Sequence, residues 1–451
     1  MIRNLRHRGK GLNAAQVVLL SFVLFITLGT LLLMLPFAHQ SGTSHWLDDL
    51  FMATSAVCVT GLITVDPSAT YTLFGQIILL ALIQIGGLGY MTLLTLSLIM
   101  VGQRISLRDR LNFQRATDQP GTAGLAGFIV NIARFTLLIE GIGFLALCLV
   151  TIPDLGWGRG LYVAAFHVIS AFNNAGFSLF PQGASYWQSQ PIALGILMVL
   201  VIVGGLGYSV NQELVRRLIH RRRRPQLETL VSVVLVTTGI MLVIPAILLF
   251  FFERGNSQTL GPLPWPLQVV NAFFMAVQPR TAGFNSIPIE AMTDPSLLIT
   301  MGLMFIGGAP GSTAGGIKIT TAVVLVAAVA AAIRGRTDTN LLGMKRRVGD
   351  VVVRKALAVL VLSLTLVFVV TLLLLIVEPL PFLPVFFEVV SAIGTVGLSM
   401  GITSSLTDPG KLIVSLAMLI GRVGVIMVML SLFSTRTTSA VRYSEDPMLV
   451  G

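Results

Sequence analysis

Four short segments recur along this chain, each turning on a glycine: CVTGL around Gly61, NNAGF around Gly176, RTAGF around Gly283 and GTVGL around Gly397. They lie 115, 107 and 114 residues apart. A phenylalanine stands ten residues before each, at Phe51, Phe166, Phe273 and Phe387, and another glycine follows 24 to 28 residues later, at Gly86, Gly204, Gly307 and Gly421. Regular spacing on both sides predicts one structural unit used four times, and four copies can surround one axis. A ring of backbone around an axis is how proteins strip and hold a bare cation.

The unit is built for a membrane. Of 451 residues, 55% are hydrophobic and 11% charged, with mean hydropathy +0.88; soluble domains carry roughly 25% charged residues. Eight apolar runs, near 14–37, 71–100, 126–152, 191–219, 228–252, 296–333, 353–377 and 409–434, approach or exceed the roughly 20 helical residues that cross a bilayer core. Segments this long and apolar must close their own backbone hydrogen bonds in lipid, which makes them helices. Cys58 and Cys148 lie in apolar surroundings without CxxC spacing, and the five histidines show no paired ligand spacing. The basic start (Arg3, Arg6, Arg8, Lys10) and the run behind it imitate a signal peptide, but the run is too long for one and reads as the first helix of the first repeat.

The net charge of +11 does not point to nucleic acid, because of where it sits. Most Lys and Arg gather at the N-terminus, from Arg104 to Arg115, from Arg216 to Arg224, from Arg334 to Lys355, and at Arg436 and Arg442. Lys and Arg near helix ends mark the cytoplasmic side, so the arginine run at 221–224 reads as a topology anchor. The basic stretches fall between repeats and never inside one. Each repeat then begins and ends in the cytoplasm, with one crossing out, a short segment entering and leaving from outside, and one crossing back. The expected architecture is an all-α polytopic membrane protein of four tandem parallel helix–pore loop–helix repeats around one pore, with eight spanning helices and four short pore helices. The repeats are set at 1–115, 116–224, 225–345 and 346–451. Inverted-repeat carriers would alternate in orientation.

The short segments, such as Leu47 to Cys58 and Leu161 to Asn173, make helices of roughly 18 Å, too short to span. Their C-termini would point inward, carrying about half a negative charge each, which favours a central cation. Non-helical backbone beyond them is tolerated only where it lines a watery cavity or is buried in protein. Each loop closes on glycine because the turn demands a conformation that side chains resist. The candidate ion-binding carbonyls are those of Val59, Thr60 and Gly61; Asn174, Ala175 and Gly176; Thr281, Ala282 and Gly283; and Thr395, Val396 and Gly397.

SAVCVTGL (55–62), AFNNAGFS (171–178), QPRTAGFN (278–285), AIGTVGLS (392–399), IQIGGLGY (83–90) and IGGAPGSTAGGIK (306–318) together resemble the membrane subunit of the Ktr/Trk/HKT potassium-transporter superfamily over nearly the whole chain. The first apolar run already belongs to the first repeat, which points to the Ktr branch rather than to relatives with an extra N-terminal helix pair. The resemblance implies a potassium filter with one glycine per loop and weaker rejection of sodium than in potassium channels, with sodium as a coupled or activating ion. It also implies a homodimer in a bacterial inner membrane, with both termini cytoplasmic. Regulation would come from a separate cytosolic ring of KtrA-type nucleotide-binding subunits, since no loop here is long enough to be such a domain. No cofactor is expected in this chain beyond the transported ion.

Gly307, Gly308, Ala309, Pro310, Gly311, Ser312, Thr313, Ala314, Gly315 and Gly316 interrupt the second helix of repeat three. Glycine costs a helix interior about 1 kcal/mol and proline about 3. A phosphate loop is excluded because Ile317 separates Gly316 from Lys318 and no strand precedes it. The resemblance makes this stretch an intramembrane gate beneath the filter. Arg422 occupies the position held by Gly87, Gly205 and Gly308 in the other repeats. A cation at a membrane helix centre is costly, by about 2.5–3.5 kcal/mol on insertion scales, and usually faces a cavity; by resemblance it is an electrostatic barrier under the filter. Glu140 and Glu388 are its candidate ion-pair partners, and are otherwise hydrogen-bonded structural residues. Arg280 is a candidate for shaping the outer mouth. The rival reading, a sodium- or proton-coupled carrier for another small solute, asks for inverted repeats and paired acids at mid-membrane. A membrane-embedded enzyme would need clusters of His, Asp, Glu or Cys, which the repeats lack.

Overall fold

The computed structural model describes residues 14–41, 45–89, 125–220, 225–336, 338–341 and 346–432. The basic N-terminus, Arg104 to Arg115, the arginine run 221–224, Arg436 and Arg442, and the inner part of the 71–100 run lie outside the described residues.

Four times the chain runs a long helix, a short helix, a glycine-tipped loop and a second helix. The first passage is α1 (Ala14–Leu33), α2 (Trp46–Cys58) and α3 (Leu73–Gly87). The second is α4 (Leu125–Leu155), α5 (Trp157–Phe172) and α6 (Pro191–Leu206), followed by α7 (Tyr208–His220). The third is α8 (Pro225–Glu253), α9 (Trp265–Val277), α10 (Asp294–Phe305) and α11 (Ile319–Ile333). The fourth is α12 (Asp350–Val377), α13 (Phe382–Gly394), α14 (Asp408–Val423) and α15 (Val425–Leu432).

The first helix of each passage carries a stretch long and apolar enough to cross a membrane, and less than half of each such window is buried inside the molecule. Leu137, Leu145 and Leu149 on α4, and Phe368 and Ile376 on α12, are exposed. Helices apolar on all sides suit a lipid surround. Two second helices differ from the uninterrupted spans expected over 191–219 and 409–434, while the one over 296–333 is broken at the segment 307–316, where the sequence places an interruption. α6 and α7 meet at 105°, α10 and α11 are separated by the loop, and α14 and α15 part at Gly424. Gly89, Gly207 and Gly424, with φ of 87°, 83° and 92°, each stand three residues after Gly86, Gly204 and Gly421. That left-handed backbone is open to glycine and resisted by side chains, so the same position interrupts the second helices of the second and fourth passages. In the third passage Pro310 holds that position and Gly311 (φ 72°) follows.

The short helices begin slightly earlier than expected. Trp46, Trp157, Trp265 and Phe382 open them, and all four rings are exposed, as suits an aromatic belt at a membrane interface. Phe51, Phe166 and Phe387 are fully buried in one continuous core. Phe273 is only half-buried, and Phe274 takes the packing position instead, because the third loop reaches its left-handed residue one position sooner after the buried ring. At the opposite end of the second helix each passage carries a tie to its own first helix region: Thr72 Oγ1 donates to Phe37 O at 2.7 Å, Gln190 Nε2 to Asp154 Oδ2 at 2.7 Å, Thr293 Oγ1 to Glu253 Oε1 at 2.8 Å and Thr407 Oγ1 to Glu378 Oε1 at 2.6 Å.

The passages close on one another in chain order. α3 packs on α5, α6 on α9, α10 on α13 and α14 on α2. Each second helix thus supports the short helix of the next passage, and the fourth returns to the first. Lys411 adds an ion pair across that seam to Asp48, at 2.8 Å.

Candidate ion pore

Each short helix gives way to the same backbone figure. Val59, Asn174, Thr281 and Thr395 have φ of 55°, 59°, 67° and 51°, and two residues on Gly61, Gly176, Gly283 and Gly397 have φ of 94°, 71°, 74° and 92°. The residues between them are not left-handed. In an ordinary strand, successive residues face opposite ways; alternating the handedness of φ lets successive carbonyls turn to one side. A non-glycine left-handed residue costs roughly 1–2 kcal/mol, and such strain persists only where the surroundings impose it. The imposing groups are visible. Thr60 N, Ala175 N and Val396 N each donate to the carbonyl of Ser55, Ser170 and Ser391 at 2.8 Å. Ser55 and Ser391 also accept from Gly61 N at 3.0 Å and Gly397 N at 3.1 Å, and Ser170 Oγ donates to Phe177 O at 2.8 Å. In the third loop Gln278 takes this role, accepting from Ala282 N at its carbonyl and from Phe284 N at Oε1. These residues are absent from the sequence-based set, although serine stands six places before three of the four glycines.

The four tips form a ring. A β-carbon on Gly61 would collide with Ala175 O; on Gly176 it would lie 2.9 Å from Ala282 O and from Gly283 Cα; on Gly283 it would lie 2.6 Å from Val396 O; and on Gly397 it would collide with Thr60 O. Each tip therefore abuts the next passage's tip and the fourth abuts the first, so all twelve candidate carbonyl residues belong to one closed arrangement. The second set of glycines serves a neighbouring purpose: side chains at Gly86, Gly204 and Gly421 would strike the carbonyls of Val57, Phe172 and Ile393 near the ends of the short helices.

Beside this ring lies the 307–316 segment. It is pinned at its base, where Gly307 N donates to Ile317 O at 2.8 Å and Ile319 N to Gly308 O at 3.1 Å. From there it reaches across the molecule. Ala309 N donates to Gly205 O at 3.0 Å, and Tyr208 N donates back to Gly311 O at 3.2 Å. Thr313 Oγ1 bonds to Asn174 Oδ1 at 3.1 Å, and a side chain at Gly315 would collide with Thr395 Oγ1. Lys318 Nζ donates to Ala314 O at 2.5 Å. Arg422 completes the bridge, with Nη1 donating to Thr313 O and Nη2 to Gly86 O at 2.6 Å. One loop and one arginine thus join all four passages next to the ring.

The acids expected as partners of Arg422 are engaged elsewhere. Glu140 accepts from Gln84 Nε2 at 3.3 Å and Asn173 Nδ2 at 3.1 Å, tying α4 to α3 and to the end of α5. Glu388 accepts from Ser399 Oγ at 2.7 Å and from Thr403 Oγ1. Both are hydrogen-bonded structural residues, and the partners of Arg422 are carbonyls. Arg280 departs from its expected place at an outer mouth. Its guanidinium is buried, reaching Thr238 Oγ1 of α8 at 3.3 Å and lying beside Gly205, where the intramembrane segment also attaches. It stands behind the third loop, at the level of the helix break, and the residue order RTAGF alone does not reveal which way its side chain turns.

The family model described as "TrkH: Cation transport protein" matches residues 10–439. The chain belongs to this family. It is 40% identical to the Ktr system potassium uptake protein B of Bacillus subtilis, over 97% of this chain and 96% of that one. It is 38% identical to the protein of the same name from Vibrio alginolyticus, over 99% and 96%, and 36% identical to the potassium/sodium uptake protein NtpJ of Enterococcus hirae, over 98% of each. The crystal structure of the potassium transporter TrkH from Vibrio parahaemolyticus superposes with a TM-score of 0.74 at 17% identity, covering 96% of this chain and 87% of that one, and shares the fold. The chain is therefore an all-helical, multi-pass membrane cation transporter of the TrkH family and not an enzyme.

Proposed function

We propose that this chain is the ion-translocating subunit of a potassium uptake system. The observation that carries the proposal is the closed ring of four glycine-tipped loops with alternating backbone handedness. The carbonyls of residues 59–61, 174–176, 281–283 and 395–397 face the axis and replace the hydration shell of potassium. The names of the relatives above agree with potassium as the ion, and the Enterococcus relative extends the choice to sodium. Potassium enters down its electrochemical gradient, helped by about 2.3 kcal/mol per charge per 100 mV of negative interior.

In this reading the four passages are parallel repeats with boundaries near 115, 224 and 345. The second helices complete the crossings despite their breaks, giving eight spans, and both termini lie in the cytoplasm. The loop 307–316 and Arg422 form the gate. Two unit charges 4 Å apart repel by about 4 kcal/mol at an effective dielectric of 20, enough to lower occupancy of the axis roughly a thousandfold. A cytosolic nucleotide-binding ring of the KtrA type moves the loop, and the working unit is a homodimer with one pore per protomer.

Uptake of radioactive rubidium into proteoliposomes tests the proposal. Uptake that potassium competes for, and that Gly176→Asp abolishes, is the expected result. Wild-type uptake retained in Gly176→Asp rejects the filter assignment.

A further inference from the structure

At one position of the short helices the four passages differ in pairs. Directly after the buried phenylalanine stand Met52, His167, Met275 and Glu388, all buried. Two residues beyond each tip glycine stand Ile63, Ser178, Asn285 and Ser399. In the second and fourth passages a hydrogen bond joins these two positions. Ser178 Oγ lies 3.0 Å from His167 Nε2, and Ser399 Oγ donates to Glu388 Oε2 at 2.7 Å. Each serine also accepts the backbone N–H four residues beyond the tip, from Phe180 N and from Gly401 N, both at 3.0 Å. The direction of the histidine bond follows from its other nitrogen. His167 Nδ1 lies 2.8 Å from Val163 O, a carbonyl that can only accept, so Nδ1 carries the proton and Nε2 accepts from Ser178. Both clamps therefore use an acceptor on the short helix and a hydroxyl on the leg that leaves the ring. The first and third passages place methionine where the acceptor would be.

We propose that His167 and Glu388 are positioning residues of the filter, and that they set its preference for potassium over sodium by fixing the second and fourth loops. This rests on the reading of the four loops as one pore. The tips abut in chain order, so the second and fourth stand across the axis from each other. Clamping that pair fixes one diagonal of the ring, while Met52 and Met275 offer only packing on the other. A carbonyl cage favours the larger ion when it does not contract around the smaller one, and such geometry holds when hydrogen bonds behind it lock its supports. The clamps are themselves held. The His167 ring stacks on Phe180 at 5.3 Å and meets Trp187 at 4.8 Å and Phe284 at 6.3 Å. Phe284 directly follows the third tip glycine, so this clamp also bears on the neighbouring loop. Glu388 takes a second hydroxyl from Thr403 Oγ1, which lies 3.0 Å from Ser399 Oγ. Both residues act through serine and leave the ion to the carbonyls.

Competition between rubidium and sodium for uptake into proteoliposomes carrying the full-length chain is the test. Preference between ions is a ratio over working pores, so it does not follow the amount of folded protein. His167→Met and Glu388→Met give the second and fourth loops the chemistry of the other two. Each should lower the rubidium-over-sodium preference about threefold to tenfold, the range that one hydrogen bond implies. Ser178→Ala breaks the same bond from its other side, so joining it to His167→Met should lower the preference no further than either change alone. His167→Gln and Glu388→Gln keep an acceptor oxygen and should keep most of the preference. Methionine variants with lower maximal uptake and wild-type preference overturn the proposal and leave the clamps a role in stability alone. Glutamine variants that lose as much preference as the methionine variants overturn it too, because shape and not the acceptor would then decide. Failure of the pore reading looks different: wild type takes up no rubidium, or Gly176→Asp retains uptake, and the clamps fall with it.

Discussion

The second and third passages both break their second helices beside the ring and use the break differently. In the second, Gly207 turns the chain through 105° and α7 begins at once. In the third, the chain leaves α10 after Phe305 and does not resume a helix until Ile319, and the residues between form the loop beside the ring. The two are in contact, since Tyr208 N donates to Gly311 O and a side chain at Gly207 would lie 2.8 Å from Pro310 O. The fourth passage offers a third variation: a glycine break at Gly424 and, two residues earlier, an arginine where the others keep glycine. One scaffold element, a helix that glycine interrupts next to the ring, has thus become a plain elbow, a loop and a charge. The repeats supply the ring, and the proposed gate lies where the chain departs from the repeat.

Deleting Ala309 to Gly315 should have the largest effect. With the third passage reduced towards an elbow, rubidium uptake should rise more than about tenfold as the closed population disappears, and dependence on the cytosolic partner should weaken. Unchanged uptake would remove the loop from the gate. Arg422→Gly makes the fourth passage resemble the first two, and should raise uptake by about threefold to tenfold through loss of axial charge. Arg422→Lys should restore most of the barrier. Equal uptake by wild type and both variants would make the arginine structural.

The elbows themselves give smaller, graded effects. Gly207→Ala carries both left-handed strain and the close approach to Pro310 O, and should lower stability by about 2 kcal/mol in a thermal melt. Gly424→Ala, with open space around its β-carbon, should cost about 1 kcal/mol. The reverse order would mean that loop and elbow do not press on each other. Smallest of all, Glu388→Gln should change stability by only about 1 kcal/mol and alter uptake equally in wild-type and Arg422→Gly backgrounds, because Glu388 bonds Ser399 and Thr403 and not Arg422.

Much of the architecture is legible in the residue order alone. The four tip glycines, the short helices and the interruption at 307–316 follow from spacing and from the chemistry of Gly and Pro. The elbows at Gly207 and Gly424 do not stand out, although GGLGY occurs at both 86–90 and 204–208. Glycine is tolerated in membrane helices, so hydropathy runs unbroken through a sharp bend. The one-residue shift from Phe273 to Phe274 is hidden because both positions hold phenylalanine and only packing chooses between them. Ser55, Ser170 and Ser391 look like ordinary small polar residues; their roles appear only when their carbonyls are seen accepting from the loop amides. The direction of Arg280 and the partners of Glu140 depend on neighbours far away in the chain, which no local pattern encodes.

The central claim is that four loops share one axis, and it is tested most directly by rubidium uptake in proteoliposomes carrying Gly61→Ser, Gly176→Ser, Gly283→Ser or Gly397→Ser, one at a time. Each serine must adopt left-handed backbone and meet the next loop's tip, so each variant should lose most uptake and prefer rubidium over sodium less strongly than wild type does. Wild-type uptake and preference in any two of the four would contradict a single ring.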